Sequence, residues 1–181
     1  MAIFDHILVS NDDNISTVTL NRPDKLNALN RSAWQELADV FTELNGLGLV
    51  RCIIVRGAGG KAFSAGADIS EFADERCNVA QATTYGSIVE GAINTIIEGP
   101  HPTIALVEGA CVGGGLEIAC ACDIRICGES SRFGIPVSRL GLTMAYPELQ
   151  ALLSVVASPV AKEILFSGEL FGAHRAAAVA L

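Results

Sequence analysis

The sequence predicts an α/β fold, wound from repeated strand–strand–helix units within a single domain covering residues 1–181. Three observations carry that reading. Residues 50–56 and 104–107 are short runs dense in branched apolar side chains, the pattern of strands buried in a covered, largely parallel sheet. Each run leads into a glycine-rich segment, at residues 57–68 and 109–115, that delivers small residues to the start of a short helix. Longer segments with apolar residues at helical spacing separate these units, and strands alternating with helices define the α/β class.

The elements follow in order. Residues 7–10 and Ile15–Leu20 read as a strand pair joined by a polar turn at 11–14. Residues 21–29 form a loop by their Pro and Asn content, yet Leu26, Ala28 and Leu29 make it more apolar than an idle loop needs. Asn30 or Ser32 caps the next helix, where Trp34, Leu37, Phe41 and Leu44 recur on one face. Trp34 is therefore assigned to the core. After the strand at 50–56, Asp68 suits the N-cap of a short helix over residues 68–72 and complements its dipole. The segment does not match the nucleotide pattern G-x-x-x-x-G-K-[ST]. Asp74-Glu75-Arg76 marks an exposed, mobile break. Residues 78–98 read as a long helix with Ile88, Ala92, Ile93, Ile96 and Ile97 toward the core, stopped by Gly99-Pro100-His101-Pro102. Strands follow at 104–107 and 124–127, with a short strand and turn at 132–137. Tyr146-Pro147-Glu148 starts a helix, and two more lie at 159–166 and 173–180.

Composition narrows the function. Half of the residues are hydrophobic and 18% are charged, so the chain is globular. A net charge of -8 argues against nucleic acid, which wants a basic face. No apolar run is long enough to span a bilayer and the N-terminus lacks a signal-peptide pattern, so a cytoplasmic location without membrane partners is expected. Of six cysteines, Cys52, Cys111, Cys120, Cys122 and Cys127 lie in apolar patterns and read as buried, reduced thiols, whereas Cys77 follows a charged segment. Cys120 and Cys122 point to different faces of a helix with no histidine cluster beside them, so no metal site is expected. His6, His101 and His174 have no visible catalytic partner, which leaves a histidine triad unsupported.

The chemistry concentrates at residues 107–123. An apolar strand runs into Gly113, Gly114 and Gly115 and then into a short apolar helix with one acid, Glu117, in its first turn. Glycines let backbone approach a ligand closely, and a helix N-terminus offers unspent N–H groups and partial positive charge. The pattern suits a pocket for a negative oxygen with a carboxylate beside it. A glycine-rich turn next to an incidental acid would look the same from this stretch alone.

Taken as a pair, the two glycine-rich segments resemble the enoyl-CoA hydratase/isomerase (crotonase) superfamily. The motifs are Asn21-Arg22-Pro23 with Leu26-Asn27-Ala28-Leu29, and Lys61-Ala62-Phe63-Ser64-Ala65-Gly66-Ala67-Asp68. They continue through Val107-Glu108-Gly109, Gly113-Gly114-Gly115-Leu116-Glu117 and Cys122-Asp123 to Phe133-Gly134-Ile135-Pro136 and Leu140-Gly141-Leu142. The resemblance implies a crotonase-like spiral of ββα units that binds acyl-CoA thioesters, with coenzyme A entering as part of the substrate and no permanently held cofactor. It implies an oxyanion hole from the N–H groups of Ala67 and Gly114, and it makes Glu117 the first catalytic glutamate, directing water to the β-carbon. Lys25, Leu26 and Ala28 would hold the CoA moiety and Lys61 its phosphates, with Ala65 and Asp68 in the same binding set and Arg22 a further contact.

Two departures stand out. The family's second catalytic glutamate falls on Val137, and the acid–base work of one such group is worth about a hundred- to ten-thousand-fold in rate. Tyr146 and Glu148 are the nearby candidates, but nothing in the sequence aims them at the site. The resemblance also stops near the chain's end, where family members carry a C-terminal helical segment that helps build trimers or hexamers. The chain is accordingly expected to lack that segment, and to be a homo-oligomer only where the segment is present. Hydration of a 2-enoyl-CoA is the leading expectation. Isomerisation, decarboxylation, thioester hydrolysis and silent acyl-CoA binding are the alternatives.

Overall fold

A computed structural model describes residues 4–144 and 146–181. Two sheets and their helices form a progression of repeating units. The first sheet orders its strands β1 (Ile7–Asp12), β2 (Ile15–Leu20), β3 (Cys52–Gly57), β5 (Thr103–Val107) and β7 (Ile124–Cys127). The second orders β4 (Ala62–Ser64), β6 (Ala110–Val112), β8 (Arg132–Gly134) and β9 (Phe171–Gly172). Pairing is parallel throughout except at the outer pairs β1–β2 and β8–β9. The chain therefore visits the first sheet, then the second, then a helix, and repeats. The passes are β3–β4–α2 (Phe72–Glu75)–α3 (Val79–Ile97), then β5–β6–α4 (Gly114–Ala121), then β7–β8–α5 (Val137–Leu140).

The core lies between the first sheet and the helices. Val18, Ile53, Val55, Ala105 and Val107 point alternately inward from β2, β3 and β5 and are fully buried. Against them α1 (Arg31–Asn45) lays Trp34, Leu37, Val40, Phe41 and Leu44, all buried. Asn30 is the cap of α1, accepting from the Ala33 N–H at 2.9 Å. The remaining helices are α6 (Tyr146–Leu153), α7 (Ser158–Ser167) and α8 (Ala173–Ala178). Asp123 ties the end of α4 back to β5. It accepts from the Thr103 N–H at 2.7 Å and the Thr103 hydroxyl at 2.9 Å.

Several sequence expectations need correction. Ile97 is half-exposed, because the buried face of α3 is set by Tyr85, Val89, Ala92, Ile93 and Ile96. Cys127 is exposed and Cys52 half-buried. Cys127 sits on β7, an edge strand whose Ile124 and Ile126 are also half-exposed, so only Cys111, Cys120 and Cys122 are buried. The first hairpin is tighter than its sequence suggested, with β1 running on to Asp12. His6 has a structural partner in Glu36. Its Nδ1 lies 2.7 Å from Glu36 Oε1 and its N–H donates to Glu36 Oε2 at 2.7 Å, which fastens the start of β1 to α1. Among the described residues, no helix is long and apolar enough to cross a membrane.

Candidate active site

Two loops meet at the N-terminus of α4. Leaving β4, the chain turns at Gly66 with φ +91 and continues through Ala67 to Asp68. A β-carbon on Gly66 would sit 2.7 Å from the Val112 carbonyl oxygen and 3.0 Å from the Gly114 nitrogen. Backbone thus abuts backbone where no side chain fits. Leaving β6, the chain turns at Gly113 with φ +54 and enters α4 at Gly114. A β-carbon on Gly114 would lie 3.7 Å from the Ala67 nitrogen and 2.7 Å from Cζ2 of Trp34. The amides of Ala67 and Gly114 are neighbours as a result. Among the described residues neither donates a backbone hydrogen bond, as expected at a helix start.

Both amides border a cavity of about 120 Å³, which Ala65, Glu117 and Val137 also line. Glu117, one turn into α4, is 7% exposed and sits among apolar walls. Burial pushes its carboxyl from 4.5 up to about 8, with Glu148 adding to the rise and Arg76 opposing it. At neutral pH the group therefore holds its proton. Val137 presents only methyl groups where a second carboxylate was sought.

The loop ahead of α1 is fastened to the loop ahead of Asp68. Leu29 N–H donates to the Gly66 carbonyl at 2.7 Å, Ala65 N–H to Leu26 at 2.9 Å and Asp68 N–H to Leu29 at 2.9 Å. Leu26 and Asn27 take the left-handed conformation, with φ of 51 and 56. Asn27, 2% exposed, makes this tenable by donating to the carbonyls of Ala58 and Ala62 and accepting from the Arg22 N–H. Arg22 donates to the Ala28 carbonyl at 2.7 Å and to Asp68 at 3.0 Å. Asp68 also caps its turn through Ser70, and the Ser70 hydroxyl with the Arg22 guanidinium holds its carboxyl below the usual range. Arg22 and Asp68 are thus occupied with each other, outside the cavity lining. Lys25 and Lys61 are exposed on adjacent segments, since a β-carbon on Gly59 would lie 2.9 Å from Pro23 Cβ. Leu26 is 43% exposed and Ala28 half-buried on the same rim.

Sequence reasoning did not place Trp34, Arg76 or Thr143 at the cavity, and it offered Glu148 only as a nearby candidate beside Tyr146. Trp34 belongs to the core as expected, yet its ring also floors the cavity beneath Gly114. Arg76 is not part of a loose break. It follows α2 and stacks over Phe72 at 4.6 Å and Tyr85 at 5.1 Å, beside the cavity. Thr143 and Glu148 line the cavity from the far side, whereas Tyr146 is 67% exposed and borders a different groove. No local pattern aimed Arg76 or Glu148 at the cavity, because each reaches it only through the packing of helices distant in sequence.

Comparison with known proteins agrees with this geometry. A family model described as enoyl-CoA hydratase/isomerase matches residues 10–181. A short-chain-enoyl-CoA hydratase of Clostridium acetobutylicum is 35% identical over 176 residues, covering 97% of this chain and 67% of the relative. A crotonyl-CoA hydratase of Syntrophomonas wolfei is 31% identical, covering 98% and 68%. The crystal structure of an enoyl-CoA hydratase/carnithine racemase from Magnetospirillum magneticum superposes with a TM-score of 0.96 at 44% identity, covering 98% of this chain and 67% of that one. The chain spans about two thirds of the length of these proteins. With its repeating strand–strand–helix passes and paired glycine turns, the chain belongs to the enoyl-CoA hydratase/isomerase family.

Proposed function

We propose that the protein adds water to a short 2-enoyl-CoA through a thioester enolate. One observation carries the reading: two adjacent unspent amides, Ala67 and Gly114, share a small cavity with a buried carboxyl, Glu117. When water attacks the β-carbon, negative charge builds on the thioester oxygen. Two aimed N–H donors stabilise that charge, each worth about 3 kcal/mol in the transition state. Glu117 stands one helical turn from Gly114, close to where the α-carbon would lie, and carries a proton at neutral pH. Its burial suits it to protonate the α-carbon, a different task from the water activation that the family resemblance implies. The exposed Lys25 and Lys61, with Leu26 and Ala28 between the two loops, form a rim suited to the anionic CoA portion. The names of the Clostridium and Syntrophomonas relatives point to short acyl chains.

Mixing the protein with crotonyl-CoA and following the conjugated thioester absorbance tests this. Absorbance is expected to fall with turnover, and Glu117→Gln to slow it by at least about a hundredfold. Stable absorbance, or a Glu117→Gln variant as fast as the parent, would refute the reading.

A further inference from the structure

Hydration needs two proton transfers at neighbouring carbons. Water must lose a proton as its oxygen bonds to the β-carbon, and the α-carbon must gain one. Glu117, buried and neutral, supplies only the second, and Val137 offers neither. Among the described residues lining the cavity, the other ionisable side chains are Arg76 and Glu148. Arginine stays protonated and cannot accept. Glu148 can, and its placement is enforced by packing. It lies on α6 three and four residues before Ala151 and Leu152, on the same helical face, and both of those are buried where α6 packs against α4 and α3. Glu148 also borders an adjoining solvent-open groove together with Arg76 and Thr143, so water can reach it from outside.

Building on the hydratase reading, we propose that Glu148 is the second catalytic carboxylate, the base that takes the proton of the attacking water while Glu117 protonates the α-carbon. The water oxygen forms its bond to the β-carbon as one O–H bond breaks toward Glu148. The π electrons move to the thioester oxygen, held by the Ala67 and Gly114 amides. As the enolate collapses, its α-carbon takes the Glu117 proton. Glu148 then carries one proton and Glu117 none, and exchange with solvent restores the pair without any oxidant or co-reactant. Arg76, held by its two aromatic rings just after α2, lines the same cavity, and its charge opposes the rise that Glu148 produces at Glu117. The second acid–base group thus enters from α6, in place of the residue at the start of α5.

The test uses the 181-residue chain with two substrates. Crotonyl-CoA reports hydration, and butyryl-CoA in deuterated water at pH 8 reports exchange of the α-proton, which needs the ionised fraction of Glu117 to take that proton and the amides to hold the enolate, but no attack by water. Glu148→Gln is expected to lower the hydration kcat by at least about a hundredfold. KM should stay within about threefold of the parent, and α-proton exchange should continue. Glu117→Gln should lose both reactions. A Glu148→Gln chain that hydrates at the parent rate overturns the assignment. So does one that loses exchange in step with hydration, which would mark a structural role. A parent chain that neither hydrates nor exchanges overturns the hydratase reading itself, and this assignment with it.

Discussion

Gly114 meets two demands within one residue. The proposed role needs its amide to face the cavity, and packing needs its α-carbon to rest on the buried Trp34 ring. A methyl group there would start 2.7 Å from Trp34 Cζ2, and a ring that is 1% exposed has nowhere to go. Gly114→Ala should therefore shift the start of α4 and turn the amide from its aim. Misplacement of a catalytic group by about 1 Å costs on the order of a hundredfold, so kcat is expected to fall by that factor while the chain stays folded by circular dichroism. Glu117 makes a second demand visible in rate. With the protonated carboxyl as the proposed donor, kcat/KM should fall as pH rises through about 8. A profile that instead climbs through that pH would show the carboxylate to be the working form.

At the scale of elements, the site depends on how loops are fastened and how helices are aimed. The loop before α1 and the loop before Asp68 are joined by three backbone hydrogen bonds and clamped by the Arg22–Asp68 ion pair, whose side chains are 18% and 12% exposed. Hydrogen bonds to charged groups contribute about 1.5–3 kcal/mol each. Arg22→Ala should accordingly raise amide hydrogen exchange at Leu29 and Ala65, with little change in the strands. Much of this was legible in sequence. Leu37, Phe41 and Leu44 announce α1 by spacing, and the glycine clusters mark both turns. The role of Asn27 was hidden, because a buried polar residue in a left-handed turn looks like any loop asparagine. Arg76 was hidden, and Glu148 was a candidate without an aim, for another reason. Short helices such as α2 lack a periodic signal, and which face α6 turns to α4 depends on non-local packing. The starts of α5 and α6 offer two routes for a carboxylate into one cavity. Val137→Glu placed in the Glu148→Gln chain should thus recover crotonyl-CoA hydration by about tenfold or more in progress curves.

For the whole molecule, the buried carboxyl proposed to serve the chemistry works against stability, and pH sets by how much. In the unfolded chain Glu117 loses its proton above 4.5, whereas the folded chain keeps it up to about 8. Between those values the unfolded state binds fewer protons, so folding stability falls as pH rises. The loss from this group between pH 5 and pH 7 is roughly 2–3 kcal/mol. Other carboxylates titrate over the same range, so the parent's own curve does not isolate the effect. The difference between Glu117→Gln and the parent does, because glutamine carries no proton and every other group cancels. Any cost of burying an amide there is the same at both pH values. The variant should gain on the parent by roughly 5–10 °C in Tm on moving from pH 5 to pH 7, measured by thermal denaturation. Two curves that stay parallel across that interval would mean Glu117 is ionised in the folded protein. Proton donation to the α-carbon would then need another source.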